Sequence, residues 1–427
     1  MKEDFLHYVW QHQMLSPRLT TIDGQPIVVL SVGEVNKNAG PDFFNCRIRI
    51  GNVEWAGSVE IHIHSSDWNR HGHQFDAAYN NVVLHVVYEY DTNVTLQNGK
   101  NLPTLELKPF LHPSLVSNYD SLMAPPKSDS IVPCSNNLAE VPQIVIKGFF
   151  ERLTVERIEN KAHQVHRLLK ESHGGWEQTC YWLMARYFGG KVNALPFELL
   201  AKSIDLSILS RWSDNKERLE ALLFGQAGFL DDEFTDDYPN RLKQDYYALR
   251  SATSLKPLGK YVWKFYRIRP SAFPTIRISQ FADLLSHSKN IFSTLLEITD
   301  VQRLETLFRR QASEYWNNHF QFDQRTEINS IKRLGTMQAD LIIINAWIPL
   351  LFVYGVEHQQ ERYKEQALYL LSQIKSENNS VIRGWKEVGI SPSDASQSQA
   401  LLQLYEKYCH DHRCLECRIG YHILKHK

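Results

Sequence analysis

Two segments near the N-terminus alternate apolar and polar side chains with period two, and this pattern constrains the fold more than any other. They are FFNCRIRI, residues 43–50, and SVEIHIH, residues 58–64. Alternation of this kind predicts two strands of an antiparallel pair. Glu60 and His62 then share one face of the second strand. Asp42 follows Pro41 at the mouth of the first strand.

The carboxylates of Asp42 and Glu60 can therefore converge. Oxygen ligands of this kind suit a hard divalent cation that keeps several of its waters, so the layout predicts a metal-dependent phosphodiesterase site. Each acid alone is more simply explained as a turn cap or an exposed acid on a strand face. The functional interpretation is favoured by the ligand-type residues nearby, which are His62, His64, Asp67, His71, His73 and Asp76.

The order of the predicted elements gives the fold class. The sequence is rich in strands from Pro26 to about Pro109, and residues 70–81 predict a short helix before the strand VVLHVV. That strand lacks polar alternation, which predicts that both of its faces are covered. Later apolar residues repeat at helical spacing. We expect an α+β protein with an N-terminal sheet domain at 1–123, a linker at 124–133 and a mainly helical domain at 134–427.

Composition and missing motifs exclude several classes of protein. The sequence has no Walker phosphate loop, no dinucleotide-binding glycine pattern, no HExxH and no nucleophile elbow. It starts without a basic, apolar leader, and the apolar run at 341–356 is shorter than the ~20 residues that cross a bilayer. We therefore expect a buried helix at that run, no membrane partner and a cytoplasmic location. Six cysteines fit the same reducing compartment.

Three cysteines near the C-terminus have the spacing of metal ligands. Cys409, Cys414 and Cys417 form a C-x4-C-x2-C pattern, and the two-residue gap lets both thiolates reach one ion. Cys134 can supply a fourth ligand if the ends of the helical domain are close; the alternatives are His410 or His412. Zn²⁺ or an iron–sulfur cluster would suit such a site. The alternative interpretation is a set of reduced thiols at a helix end, and the remaining cysteines, Cys46 and Cys180, are expected to be buried thiols.

A nucleic-acid surface is predicted in the segment GKYVWKFYRIRPSAFPTIRI, residues 259–278. With a net charge of −1, the chain would need local basic patches for such contacts. The segment interleaves aromatic residues with Lys260, Lys264, Arg267 and Arg269, which suits phosphates and unstacked bases. A solvent-exposed edge of the protein with its aromatic side chains buried would have the same sequence pattern.

The N-terminal motif resembles that of the PD-(D/E)xK nucleases, which have the restriction-endonuclease-like fold with a mixed sheet. The resemblance implies that Asp42 is the aspartate of the PD motif and Glu60 the acid of the tripeptide, with His62 in the place of the usual lysine. Glu34 would be an additional upstream acid, and the segment from Gln74 to Tyr79 is similar to a helix of the exonuclease branch. It further implies Mg²⁺ or Mn²⁺ as cofactor.

Over its whole length the chain resembles a bacterial family known as domain of unknown function 2851. The resemblance is carried by AGPDFFNCRI, VEIHIHSSDW, RPSAFPTIRISQFADLL and RCLECRIG, and it implies no activity. The distant cysteine with a C-terminal triplet is similar to the arrangement in iron–sulfur nucleases of the helicase–nuclease and CRISPR-adaptation type. Here, however, the cysteines flank the predicted helical domain.

The predicted function is that of a Mg²⁺-dependent nuclease. Asp42, Glu60 and the Ile61 carbonyl would hold the metal, and His62 would orient or deprotonate the attacking water. One alternative is an inactive nuclease-like scaffold that binds nucleic acid or protein. A second alternative is a zinc-dependent hydrolase that uses the HxH pairs at His62 and His71. The sequence does not give the oligomeric state.

Overall fold

The structure is a computed structural model that describes residues 1–126, 130–253 and 255–426. It is α+β, with a mixed sheet in the N-terminal region and helices through most of the rest, as the sequence predicted. Residues 127–129 of the predicted linker lie outside the described residues.

Seven strands of the described residues form one sheet. They are β1 (Leu19–Thr20), β2 (Pro26–Ser31), β3 (Glu34–Val35), β4 (Phe43–Ile50), β5 (Val53–His64), β6 (Val82–Glu89) and β7 (Thr104–Glu106). Their order in the sheet is β1-β2-β4-β5-β6-β7, with the short β3 paired to β4. β4 and β5 are antiparallel, as predicted, whereas β5, β6 and β7 are mutually parallel. The centre of β6 is buried, which confirms the predicted cover on both faces.

The connection from β5 to β6 differs from the predicted continuous helix. It contains the short helix α2 (Asp67–Arg70) and two 3-10 turns, His73–Phe75 and Ala77–Tyr79. Asp76 separates the two turns because its backbone is extended, and its side chain accepts a hydrogen bond from the N–H of Ala78. Such a cap begins a new turn instead of continuing the previous one.

Helices cover the sheet and tie distant parts of the chain to it. α1 (Glu3–Gln11) contacts β5. The rings of Phe5 in α1 and Tyr119 in α3 (Pro113–Met123) stack with centroids 4.1 Å apart. The C-terminal helix α18 (Arg418–His426) packs against α3, where the Asn118 side chain donates a hydrogen bond to the carbonyl of Leu424 at 3.1 Å.

The middle of the chain is helical around a large apolar core that includes the buried Trp316 and Trp347. A two-stranded sheet of β8 (His319–Gln321) and β9 (Gln324–Arg325) lies within it. The remaining helices are α4 (Gln143–Glu171), α5 (Trp176–Phe188), α6 (Gly190–Lys202), α7 (Leu206–Trp212), α8 (Lys216–Gln226), α9 (Asp237–Ser251), α10 (Pro274–His287), α11 (Ile291–Leu296), α12 (Val301–Phe308), α13 (Thr336–Ile342), α14 (Ile348–Glu357), α15 (Glu361–Gln373), α16 (Ser380–Glu387), α17 (Ala395–Leu404) and α18 (Arg418–His426).

In the described part of the chain, one helical stretch, Thr336–Glu357, is long and apolar enough to cross a membrane. Of its most apolar window, 72% is buried inside the protein. It joins α13 and α14 through a π-helical turn at Ile343–Trp347. Burial of this kind is that of a core helix, as the sequence predicted.

The described residues divide into two compact units. The sheet unit contains Met1–Phe149, Arg383–Ile390 and Leu404–Lys427, and the helical unit contains Phe150–Ile382 and Ser391–Gln403. The predicted boundaries grouped the whole of 134–427 with the helices. The structure therefore differs in assigning the C-terminal segment, with its three cysteines, to the unit that holds the sheet.

Gly57 allows β5 and β6 to approach each other. A Cβ at this position would lie 2.5 Å from both the carbonyl oxygen of Asn81 and Cγ1 of Val83. Gly57→Ala should therefore lower the free energy of unfolding of the sheet unit by about 1–3 kcal/mol, because the backbone must shift. Urea denaturation would measure this loss. The control is Gly148→Ala, where the nearest atom is 3.7 Å away and the helical position favours alanine; an equal loss in both variants would contradict the explanation.

Candidate functional site

The two acids singled out by the sequence lie side by side, held by the backbone of each other's strand. The N–H of Asp42 donates to Oε2 of Glu60 at 3.1 Å, and the N–H of Ile61 donates to Oδ2 of Asp42 at 2.9 Å. Nε2 of His7, from α1, lies 3.2 Å from the same Asp42 oxygen. One oxygen of each carboxylate thus accepts a backbone hydrogen bond, and the other oxygen accepts none.

Glu34 takes no part in this arrangement. It is exposed on β3 and pairs in register with Phe44 of β4. Among the described residues, no hydrogen bond or ion pair joins it to Asp42 or Glu60.

Three histidines form a cluster beside Glu60. One ligand atom from each of His62, His71 and His73 lies within 4.8 Å of the others. Nε2 of His62 is 3.1 Å from Nδ1 of His71. Oε1 of Glu60 is 3.2 Å from Nε2 of His73 and 3.5 Å from Nε2 of His62. We call these four residues the histidine site.

The parallel strand β6 adds a fourth imidazole behind the site. His85 pairs in register with Glu60, and its Nε2 lies 2.9 Å from Nδ1 of His62. Its other ring nitrogen is buried without a hydrogen-bond partner in the described residues. His64, in contrast, is exposed at the end of β5, so the predicted ligand pair of His62 and His64 does not form.

Aromatic side chains fix the orientation of His73. Its ring stacks on Tyr79 with centroids 3.8 Å apart and meets Trp68 edge to face at 5.3 Å. Trp68 and Tyr79 belong to a small apolar cluster with Val82 and Leu102. The packing of the 3-10 turns between β5 and β6 therefore holds the His73 side chain in one orientation.

Burial sets the protonation of the site. The pKa of His62 is lowered to about 2, mainly by burial and to a smaller extent by the charges of the neighbouring histidines. Burial and the charge of His73 lower the pKa of His85 to about 3. Burial also raises the pKa of Glu60, and the charge of Asp42 adds to that rise, while the hydrogen bond from His73 opposes it. At neutral pH both histidines are uncharged, the form in which imidazole binds a metal ion.

The site is open on one side. Glu60 and His62 are 5% and 2% exposed, whereas His71 is exposed and the side chains of Asp42 and His7 are partly exposed. Burial lowers the pKa of His7, but the hydrogen bond to Asp42 and the charges of the nearby acids raise it by more than burial lowers it. The pKa of His7 is therefore above its usual value. No local sequence pattern singled out His7, and His85 stood out only as the polar residue in VVLHVV.

The four predicted cysteine ligands line one small cavity in the sheet unit. The cavity has a volume of about 10 Å³, and its other walls are Leu122, Pro133, Tyr408 and Gly420. His410 and His412 are exposed, and His410 pairs with Asp411, so neither is the fourth member of the set. Cys46 and Cys180 are buried elsewhere, as predicted.

The basic and aromatic segment of the helical unit is exposed only in part. Lys260, Lys264, Arg267 and Arg269 are exposed, and so are Tyr261 and Tyr266, at 84% and 79%. The Arg267 guanidinium lies over the ring of Tyr266 at 5.2 Å, and Lys260 forms an ion pair with Asp232. Trp263 and Arg277 are buried, so these two belong to the core.

These features define an α+β protein with a cluster of ligand-type side chains in its sheet unit. The chain belongs to the family described as Protein of unknown function (DUF2851), whose model matches residues 3–380. No curated protein and no solved structure matches the chain significantly. The resemblance to nucleases therefore stays a prediction.

The histidine site should bind a divalent ion of the first transition series. We expect Zn²⁺ or Mn²⁺ to raise the melting temperature of chelator-treated protein, with about 2.7 kcal/mol of stabilisation at a hundredfold excess over Kd. His71→Ala should remove the shift and lower the metal content by one ion per chain, because it removes one of three clustered ligands. Elemental analysis and thermal denaturation would measure both. His64→Ala is the control, since His64 is exposed on the same strand; an equal loss in the two variants would contradict the assignment.

Proposed function

We propose that this protein is a metal-dependent phosphodiesterase acting on nucleic acid, with its reactive centre at Asp42, Glu60 and the histidine site. The observation that carries the proposal is the buried carboxylate of Glu60. One of its oxygens accepts the N–H of Asp42 and the other lies against two histidines of the cluster. Glu60 thus belongs both to the acid pair and to the metal-ligand cluster.

The donor atoms favour a transition metal over the Mg²⁺ that the motif implies. Two ligand atoms bound at about 2.1 Å to a tetrahedral ion are about 3.4 Å apart, close to the 3.1 Å between Nε2 of His62 and Nδ1 of His71. Imidazole suits Zn²⁺, whereas Mg²⁺ takes oxygen ligands. His62, His71 and His73 would hold the ion, and Glu60 would lie beside it.

A bound ion would lower the pKa of a water and offset negative charge on the scissile phosphate. The protein groups have separate tasks. Glu60, whose pKa burial raises, is suited to accept a proton from the attacking water. His85 can accept the Nδ1–H of His62, which leaves Nε2 of His62 free as a ligand, and such contacts fix metal-binding histidines. Asp42 orients Glu60 through the backbone.

A cationic group for the phosphate has to come from outside the tripeptide. Lysine normally fills the position of His62 in PD-(D/E)xK nucleases, but burial keeps His62 neutral. His7 lies on the open side of Asp42, partly exposed, where a positive charge could meet a phosphate. Nucleic acid as substrate is further supported by the exposed tyrosines and basic residues of the helical unit, a combination that suits unstacked bases.

Cleavage assays on single- and double-stranded DNA and RNA test the proposal. Wild-type protein should cleave at least one of them with Mn²⁺ or Zn²⁺, and Glu60→Gln should lower kcat by about 10²–10⁴-fold because the general base is lost. Gel analysis of labelled substrates would measure the rates. Glu34→Gln, an exposed acid outside the site, should keep wild-type activity.

His62→Lys separates the two ways in which the metal could be held. It restores the residue that the nuclease motif usually has, but it removes one of the clustered imidazoles. We expect the variant to lose both metal and activity. Retained activity with Mg²⁺ would instead mean that Asp42 and Glu60 hold the ion alone. If wild type and His62→Lys are both inactive on every substrate and metal, the scaffold alternative replaces the enzyme.

The exposed aromatic segment gives a separate binding test. Tyr261→Ala combined with Tyr266→Ala should weaken binding of single-stranded nucleic acid about tenfold or more, since each stacked base contributes about 1–3 kcal/mol. Fluorescence anisotropy at fixed salt concentration would measure Kd. Tyr369→Ala is the matched control, because Tyr369 is a 57% exposed tyrosine of the same unit. Unchanged affinity in the double variant would remove this surface from the proposal.

A further inference from the structure

We propose that Cys134, Cys409, Cys414 and Cys417 form a structural Zn²⁺ site that fastens the C-terminal segment to the sheet unit. The four side chains come from two regions of the chain separated by the whole helical unit. Nevertheless they line a single cavity. All four are buried and free of disulfides. Four buried thiols that line one cavity are the ligand set of a Cys₄ zinc site.

The local backbone explains how the C-terminal cysteines reach the cavity. Cys414 and Cys417 stand at the two ends of a tight turn in which the N–H of Cys417 donates to the carbonyl of Cys414 at 3.3 Å. α18 follows at once, and a Cβ on Gly420 would lie 2.0 Å from the Cys414 carbonyl oxygen. Position 420 therefore requires glycine, because the first turn of α18 packs directly against the backbone of Cys414. Cys409 ends a π-helical turn, a feature that often accompanies functional sites.

The size of the cavity favours a single ion. At about 10 Å³ it has room for about one water-sized sphere. An iron–sulfur cluster has several metal and sulfide atoms and needs more space. Among the described residues no basic side chain lines the cavity. A cation bound by the thiolates would supply the missing positive charge and release protons on binding.

The site would support the side of the sheet unit that carries His7. Tyr421 of α18 lies against Tyr8 of α1 and against His12, which follows the last residue of α1, with ring centroids 6.4 Å and 5.7 Å away. α1 in turn presents His7 to Asp42. Loss of the zinc should therefore loosen α18 and α1 together. An effect of that loosening on catalysis rests on the proposed function, but the zinc site itself does not.

Metal analysis of the full-length protein tests the inference. Cys417→Ser should lose one Zn²⁺ per chain while the ion at the histidine site remains, and His71→Ala should show the reverse. Cys46→Ser, a buried thiol of the same unit outside the cavity, should keep both ions. Hydrogen exchange of Cys417→Ser should rise in α18 and α1, and exchange that stays at the wild-type level would overturn the structural role.

Wild-type protein provides a test that does not depend on a variant folding. With zinc bound, the four thiols should resist alkylation, and a thiol-specific mercurial should release one Zn²⁺ per chain. Replacement by Co²⁺ should give the thiolate charge-transfer absorption of a tetrahedral sulfur site. Ready alkylation of zinc-loaded protein would overturn the proposal, as would iron with acid-labile sulfide or protein that never takes up zinc at the cysteines.

Discussion

The sheet unit depends on the burial of one carboxylate, that of Glu60. Taking a charged carboxylate out of water is costly unless hydrogen bonds or opposite charges compensate for it. Here the compensation comes from two different elements: the N–H of Asp42 before β4 and His73 on a 3-10 turn. These contacts require the antiparallel pairing of β4 with β5 and the turn before β6 to be correct at once. The geometry of the histidine site follows from that requirement.

The part of the site that the sequence predicted is the part encoded by short-range patterns. Period-two alternation gave the antiparallel pair, and the position of Asp42 before one strand and Glu60 on the next was enough to place them as neighbours. The apolar run at 341–356, too short to cross a bilayer, likewise predicted a buried helix. In each case the relevant residues are close in sequence, so the register of one element determines their relation.

The rest of the site depends on contacts that no local pattern records. His85 reaches His62 because β6 runs parallel to β5, and His7 reaches Asp42 because α1 packs on the same sheet. The short helix expected near Gln74 is broken by Asp76, whose side chain caps the following turn. That break moves His73 against Glu60. The ligand-type residues could be recognised in the sequence. The tertiary structure was needed to show which imidazoles face one another.

The discontinuity of the sheet unit has a consequence for how the protein matures on the ribosome. Cys134 emerges early, but Cys409, Cys414 and Cys417 follow only after about 270 further residues, roughly 14–55 s later at common rates of synthesis. Until then α1 and the sheet lack the cover of α18. The helical unit, all of which is synthesised in between, can fold first. The nascent sheet unit should therefore be a substrate for chaperones or proteases during this interval, and it should become resistant only when the three later cysteines and α18 have emerged.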